Sequence, residues 1–381
     1  MQNNEKAAAA ASAAPAAHAA KKPPLITITK RDDSTLLRKI MARLIAIVAA
    51  LIVSAVVTVL VTDSDPLKLF QTIFDGAFGS DRIWGTAEDV AILLGVALAI
   101  TPAFKMRFWN IGAEGQVLVG ALAGALVMMT FGGVPDWLAC LGVAVSGIMA
   151  GALWGVIPAF FKAQWRTNET LFTLMMNYVA IQLIKFFLKV ADKSGSSTVG
   201  ATLLQHGRFP VLFGQPYLLN LIVIAVLTAL MFIYLRSSKQ GYEISVVGES
   251  ENTAHYIGIN VKKVIIRTML ISGALCGLIG VLLVETSQSI DPNLAKGNGF
   301  TAIMVSWLAK FNPIIMVFTA LLIVVLSRGA ENVATIMGLN KSFSDILTGI
   351  ILFFIIGCEF FINYKVHFNR GSKAKREAGD A

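Results

Sequence analysis

Asn110-Ile111-Gly112-Ala113-Glu114-Gly115-Gln116 sits between two apolar runs, and its setting decides the fold. Asn, Glu and Gln are costly in hydrocarbon, and glycine loosens a helix. A polar, glycine-flanked heptapeptide survives at membrane depth only where its backbone is buried in protein or lines an aqueous path. The flanks establish that depth. Apolar runs near the spanning length of about 20 residues recur at roughly 40–62, 87–104, 109–131, 137–161, 169–190, 217–235, 264–284, 299–309, 312–330 and 344–363. They predict an all-α polytopic membrane protein with about ten transmembrane helices. The 299–309 run is too short to cross as a straight helix, and Lys310 and Pro313 cut it off from the next, so a tilted or broken span and a tight turn are expected there.

Composition agrees. Of 381 residues, 56% are hydrophobic and only 14% charged, against about 25% charged in ordinary soluble domains. Mean hydropathy is +0.70. The net charge of +9 raises nucleic acid as a partner. Lys and Arg, however, lie in loops and tails beside the apolar runs and form no basic stripe interleaved with aromatics, which excludes that class. Their distribution orients the chain instead. With the N-terminus inside, roughly 23 basic residues fall inside and about 9 outside, the inner set including Lys105, Arg107, Lys162, Arg166, Lys262, Lys263 and the C-terminal cluster. Both termini are therefore expected in the cytoplasm.

Residues 1–36 are low-complexity, an alanine-rich run followed by Lys21-Lys22-Pro23-Pro24, and are expected to be a disordered cytoplasmic tail. No bulky apolar stretch follows a basic start, so a cleavable signal peptide is not expected. Residues 37–364 form the transmembrane domain and 365–381 a basic cytoplasmic tail. Cys140, Cys276 and Cys358 lie in apolar segments without CxxC spacing and are packing residues. The four histidines are scattered, so no metal site is expected. No phosphate-binding loop is present: Gly338-Leu339-Asn340-Lys341-Ser342 lacks its glycines. With no cluster for chemistry either, the chain reads as non-enzymatic, with no cofactor of its own.

Three connections are longer than a turn requires: 63–86 and 191–216 outside, and 237–263 inside. In the inner one, Glu249, Ser250 and Glu251 suit the first turn of a short helix, and Gly258 suits its left-handed C-terminal cap. A helix of about two turns needs something to pack against. It is either a plain connector or a plug presenting Ala254 and small neighbours to a cytoplasmic partner.

Phe108-Trp109-Asn110-Ile111-Gly112-Ala113-Glu114-Gly115-Gln116 closely resembles the FNIGAEGQ signature of ABC-transporter permeases, in the branch for uptake of nucleosides and simple sugars related to ribose and branched-chain amino-acid permeases. Asn168 to Tyr178 resembles the family's second signature, 248–261 its coupling loop, and Ser272 to Gly280 the span that follows. The similarity covers about residues 85–364, four ordered motifs in all. Trp109, Thr253 and Ser306-Trp307-Leu308-Ala309-Lys310 depart from the usual residues.

The resemblance implies the permease fold of a binding-protein-dependent importer in the plasma membrane of a bacterium. It implies a second, similar or identical permease as partner, two ATP-binding cassette subunits or one fused ATPase carrying ATP and Mg, and an extracytoplasmic substrate-binding lipoprotein. The coupling element would comprise Gly248, Glu249, Glu251, Asn252, Ala254 and Gly258 in the loop 241–263. Candidates for pathway or gate are Asn110, Glu114, Gln116, Asn177 and Trp307. For the first three, contact with the path and hydrogen bonding to the broken backbone both stay open. Asn168 caps a helix or joins the path, and Trp154 and Trp307 stack on a base or anchor at the interface. Gly147, Gly151 and Gly155, with Gly273 and Gly277, read as faces for close helix packing. Lys193, Arg208 and Lys296 are solvated loop charges or docking groups for a binding protein. Nucleosides are the expected substrate, with ribose-like sugars as the alternative. An ion-coupled secondary transporter is the rival class, and would normally place acidic or His relays mid-span, where the sequence offers only the Glu114 region.

Overall fold

The computed structural model describes residues 26–30, 36–62, 66–80, 82–130, 134–191, 202–203 and 209–368. It comprises two units, Met1–Ile47 with Gly357–Ala381, and Val48–Ile356. In the first, strand β1 (Ile26–Lys30) pairs antiparallel with β4 (Tyr364–Phe368), Ile26 opposite Phe368 and Lys30 opposite Tyr364. These strands fall within, or at the edge of, the two tails expected from sequence. Ile26-Thr27-Ile28-Thr29 alternates with the strand period of two, a signal swamped by the low-complexity run before it. The remainder of both tails lies outside the described residues. Beside the strands, Arg43 donates to Glu359 at 2.6 Å, pairing a carboxylate that would otherwise be costly in a span.

Helices α1 (Leu36–Thr62), α2 (Pro66–Phe78), α3 (Ile83–Lys105), α4 (Ala113–Thr130), α5 (Asp136–Trp165), α6 (Glu169–Ala191) and α7 (Leu218–Ser237) come first. Then follow α8 (Lys239–Glu249), α9 (Glu251–Tyr256), α10 (Val261–Ser287), α11 (Asn298–Leu308), α12 (Pro313–Ile336) and α13 (Lys341–Asn363). Among the described residues nine of these are long and apolar enough to cross a membrane. The eleven-residue α11 is not. β1 precedes α1 and β4 follows α13, so the pairing joins segments near the two ends of the described residues. The run at 299–309 forms the short helix α11, and the chain is a polytopic, nearly all-helical membrane protein.

The interior of the larger unit is α3. Val96 to Ile100 are all 0% exposed, walled in by α7, α10, α11 and α12, as befits a helix apolar on every side. α4, α5 and α10 pack against one another. Lipid tails are as apolar as leucine, so association here depends on van der Waals fit, and glycine supplies it. A Cβ on Gly151 would strike the Gly273 carbonyl oxygen, and one on Gly277 the Gly147 carbonyl oxygen. On the other side, a Cβ on Gly120 would run into Gly277 itself. The expected small-residue faces do meet. The connection 63–86 was expected as a loop but contains α2, whose Gly76 faces Arg328 and Gly329 of α12; residues 63–65 and 81 lie outside the described residues. Lys193 and Arg208, in the connection 191–216, do so as well. Two residues of that connection form β2 (Thr202–Leu203), which pairs with β3 (Ser289–Ile290).

Gly277→Ala has no room on either side and is expected to lower stability by about 1–3 kcal/mol, the usual cost of overpacking. Gly357→Ala, with open space around it, leaves stability unchanged or slightly raised. Thermal unfolding of the detergent-solubilised protein separates the two.

Candidate functional site

α3 ends at Lys105, Arg107 turns the chain with a φ of 61°, and the backbone stays irregular until α4 starts at Ala113. Third-span helix therefore begins later than the apolar run from 109 suggests. The groups freed by the break are taken up by side chains. Asn110, 0% exposed, accepts from the Gly112 N–H at 3.0 Å. Its amide pairs reciprocally with that of Gln116, both contacts at 3.3 Å, and donates to Ser272 near the middle of α10. From α6, Asn177 accepts from Gly115 N–H and donates to the Ile111 carbonyl, each at 2.9 Å. One helical turn earlier Thr173 accepts from Ile111 N–H at 3.2 Å. Asn168 accepts from Leu171 N–H at 3.1 Å and caps α6.

Glu114 stands in the first turn of α4, where the helix dipole favours a carboxylate. Its two oxygens accept from Gly297 N–H at 2.9 Å and Gly299 N–H at 2.7 Å, the opening amides of α11. Gly299 is there because a Cβ would fall 2.5 Å from the Glu114 backbone nitrogen. The structure thus brings Asn110, Glu114, Gln116 and Asn177 together, all at most 8% exposed. Trp307 it places elsewhere: its ring lies 5.4 Å from that of Trp109, which in turn meets Phe104 edge-on at 5.8 Å, while Phe311 sits 5.9 Å from Trp307 on the far side. Both tryptophans are nearly half exposed. Thr173, Ser272 and Trp109 were missed as site members. Thr173 was detectable, four residues before Asn177 on the same helical face.

The inner connection holds two helices rather than one. α8 is capped by Ser238, which accepts from Gly241 N–H, and α9 by Ser250, which accepts from Thr253 N–H at 3.2 Å. Glu249 is the last residue of α8, while Glu251 opens α9. Gly258, at φ 82°, reverses the chain so that Ile259 N–H closes on the Ala254 carbonyl at 2.9 Å. One expectation is corrected: Ala254 and Gly248 face inward. Ala254 is 0% exposed and packs in a cluster with Ala103, Met106, Phe108 and Val247, and Gly248 abuts the Lys105 carbonyl at the end of α3. Small residues occur here because α8 and α9 must seat closely. The outward face is Glu251, Asn252, His255 and Tyr256, the last 93% exposed. Arg267 of α10 holds α8 through Glu243 at 2.8 Å.

Nine long apolar helices among the described residues, a polar break before α4 satisfied from neighbouring helices, and a short helix seated beside it are the features of a membrane permease. Residues 83–356 match the family described as the permease component of branched-chain amino acid transport systems, and the chain belongs to that family. It is 29% identical over 350 residues to the guanosine ABC transporter permease protein NupP of Bacillus subtilis, covering 90% of this chain and 99% of that protein. It is 28% identical to the nucleoside ABC transporter permease protein NupB of Lactococcus lactis, over 84% of this chain and 91% of that one. A further relative, also 28% identical, is the glucose ABC transporter permease protein TsgB13 of Haloferax volcanii, over 85% and 90% of the two chains. In Bacillus subtilis and Lactococcus lactis a second relative, NupQ and NupC respectively, accompanies the first, so such permeases come in pairs.

Asn177→Leu strands the Gly115 N–H and the Ile111 carbonyl, each at about 1–3 kcal/mol, so its unfolding temperature is expected well below that of the exposed control Thr335→Val. Glu114→Gln retains one acceptor for α11 and falls between them, whereas Glu114→Ala, with none, joins Asn177→Leu.

Proposed function

We propose that this chain lines the translocation path of a binding-protein-dependent ABC importer for nucleosides in a bacterial plasma membrane, with both termini in the cytoplasm. It pairs there with a second permease. ATP and Mg belong to two cassette subunits or a fused ATPase below, and a lipoprotein delivers substrate from outside. The observation that carries this function is α9: a two-turn helix capped at both ends, rigidly seated by Ala254, with a fully exposed polar and aromatic outer face. Such a helix has no packing purpose outward and fits a cleft on another protein. The substrate class rests on the guanosine and nucleoside permeases among the relatives. The glucose permease among them supports a second reading, import of a simple sugar.

Movement at α9 has a route into the membrane. Ala254 shares its packing cluster with Phe108, two residues from Asn110, so α9, the end of α3 and the break before α4 move as one body. Closure of the ATPases would tilt that body, with Asn110, Glu114, Gln116 and Asn177 keeping the break rigid as it gates the path. Trp109 and Trp307, facing each other at the end of α11, are the side chains placed to part when it tilts. Substrate and nucleotide shift this equilibrium only through differing affinity for the two states.

Tyr256→Ala removes an exposed ring and leaves the fold intact. If α9 docks on the ATPase, association weakens by roughly 2 kcal/mol or more, about thirtyfold, read by co-purification and by nucleoside uptake. Deleting 249–258 abolishes both; ATP-independent uptake surviving that deletion would sink the importer. ATPase stimulation across nucleosides, pentoses and glucose decides the substrate: a response to sugars alone replaces the nucleoside reading with the sugar one.

A further inference from the structure

A cavity of about 380 Å³ opens at the end of the bundle opposite α9, between the start of α3, the lead-in to α11, the end of α12 and the start of α13. Its size falls within the range of small-molecule sites, and its chemistry is divided. The deep wall is apolar, with side chains of α3 and α12, and Phe300 offers a half-exposed ring. The mouth is polar. Asp89 is paired with Arg328, but Glu331 and Asp345 have carboxylates with no partner among the described residues. Between them and the apolar wall lies Ser344, only 3% exposed, whose hydroxyl also has no hydrogen-bond partner among the described residues. Lining the cavity, this hydroxyl is within reach of a solute held there.

We propose that this cavity is a resting site for a neutral solute made of a flat apolar ring and a vicinal diol, the ring lying against Phe300 and the diol donating to Glu331 and Asp345, with Ser344 alongside. Carboxylates accept paired sugar hydroxyls without needing to be charged-matched, as dinucleotide-binding folds do with ribose. Three carboxylates against Lys296 and Arg328 leave the cavity one negative charge in excess, so a phosphorylated form of the same solute is repelled. The inference rests on the importer reading, and refines it to ribonucleosides over deoxynucleosides lacking the diol, and over nucleotides.

The test uses the assembled complex with its binding protein in proteoliposomes. Thr348, on the cavity wall, is replaced in a Cys140→Ser background (Thr348→Cys), and the rate of maleimide labelling is followed. Whichever of guanosine, uridine or cytidine stimulates the ATPase is expected to protect the thiol. Its 2′,3′-dideoxy counterpart and its 5′-monophosphate should need about tenfold more to do so, the value of losing a hydrogen bond to a charged group. Glu331→Gln with Asp345→Asn erases the difference between the nucleoside and its dideoxy form; should that pair fail to assemble, Ser344→Ala narrows it. A complex that imports the nucleoside yet shows no protection, or equal protection by the dideoxy form, overturns the site and leaves the importer standing. A complex that responds to no nucleoside fails the importer reading itself.

Discussion

A single carboxylate serves two helix beginnings at once. Glu114 lies in the first turn of α4 and accepts the opening amides of α11, so the positive ends of two helices converge on one side chain. Away from water an unmet backbone N–H costs as much as a lost hydrogen bond, and α11 has Gly299 buried in its first turn. Its short length is possible only because this acceptor is fixed in place. Asn177, Asn110 and Thr173 perform the same service for the strand-like approach to α4.

Polar fixing and glycine packing divide the labour between them. Around α10, backbones touch backbones, and there is no slack for relative sliding. Beyond its glycine start, α11 is tied to α3 through side chains, with a buried Thr101–Ser306 hydroxyl pair at 2.9 Å. Lys310 and Phe311, both with positive φ, join α11 to α12 in a conformation that costs side-chain-bearing residues energy. Rigid core and strained periphery lie side by side, which suits a protein whose work is a change of shape.

Much of this was legible in the sequence. Every long span matched an apolar run, the short run at 299–309 stood apart from the rest, and Glu251 with Gly258 marked the two ends of a short helix. What stayed hidden was set by distant neighbours. Glu114 meets Gly299 and Asn177 meets Gly115 across long stretches of chain, and one sequence carries no record of such pairs. Ala254 could equally have faced out or in, because small residues mark close approach without saying to what. α2 was lost among the acidic residues flanking it, and β1 behind a run of alanines. The carboxylates of the outer cavity looked like ordinary loop charges until α12 and α13 were placed together.

The β1–β4 pairing carries a further consequence. Its strands lie at opposite extremes of the chain, so β1 leaves the ribosome before the first membrane helix and must wait for the last residues of the domain before it finds its partner. Closure of this small sheet therefore marks that the last of the described spans has been made. A chain truncated anywhere before Tyr364 would display an unpaired strand edge, a surface of the kind that promotes aggregation.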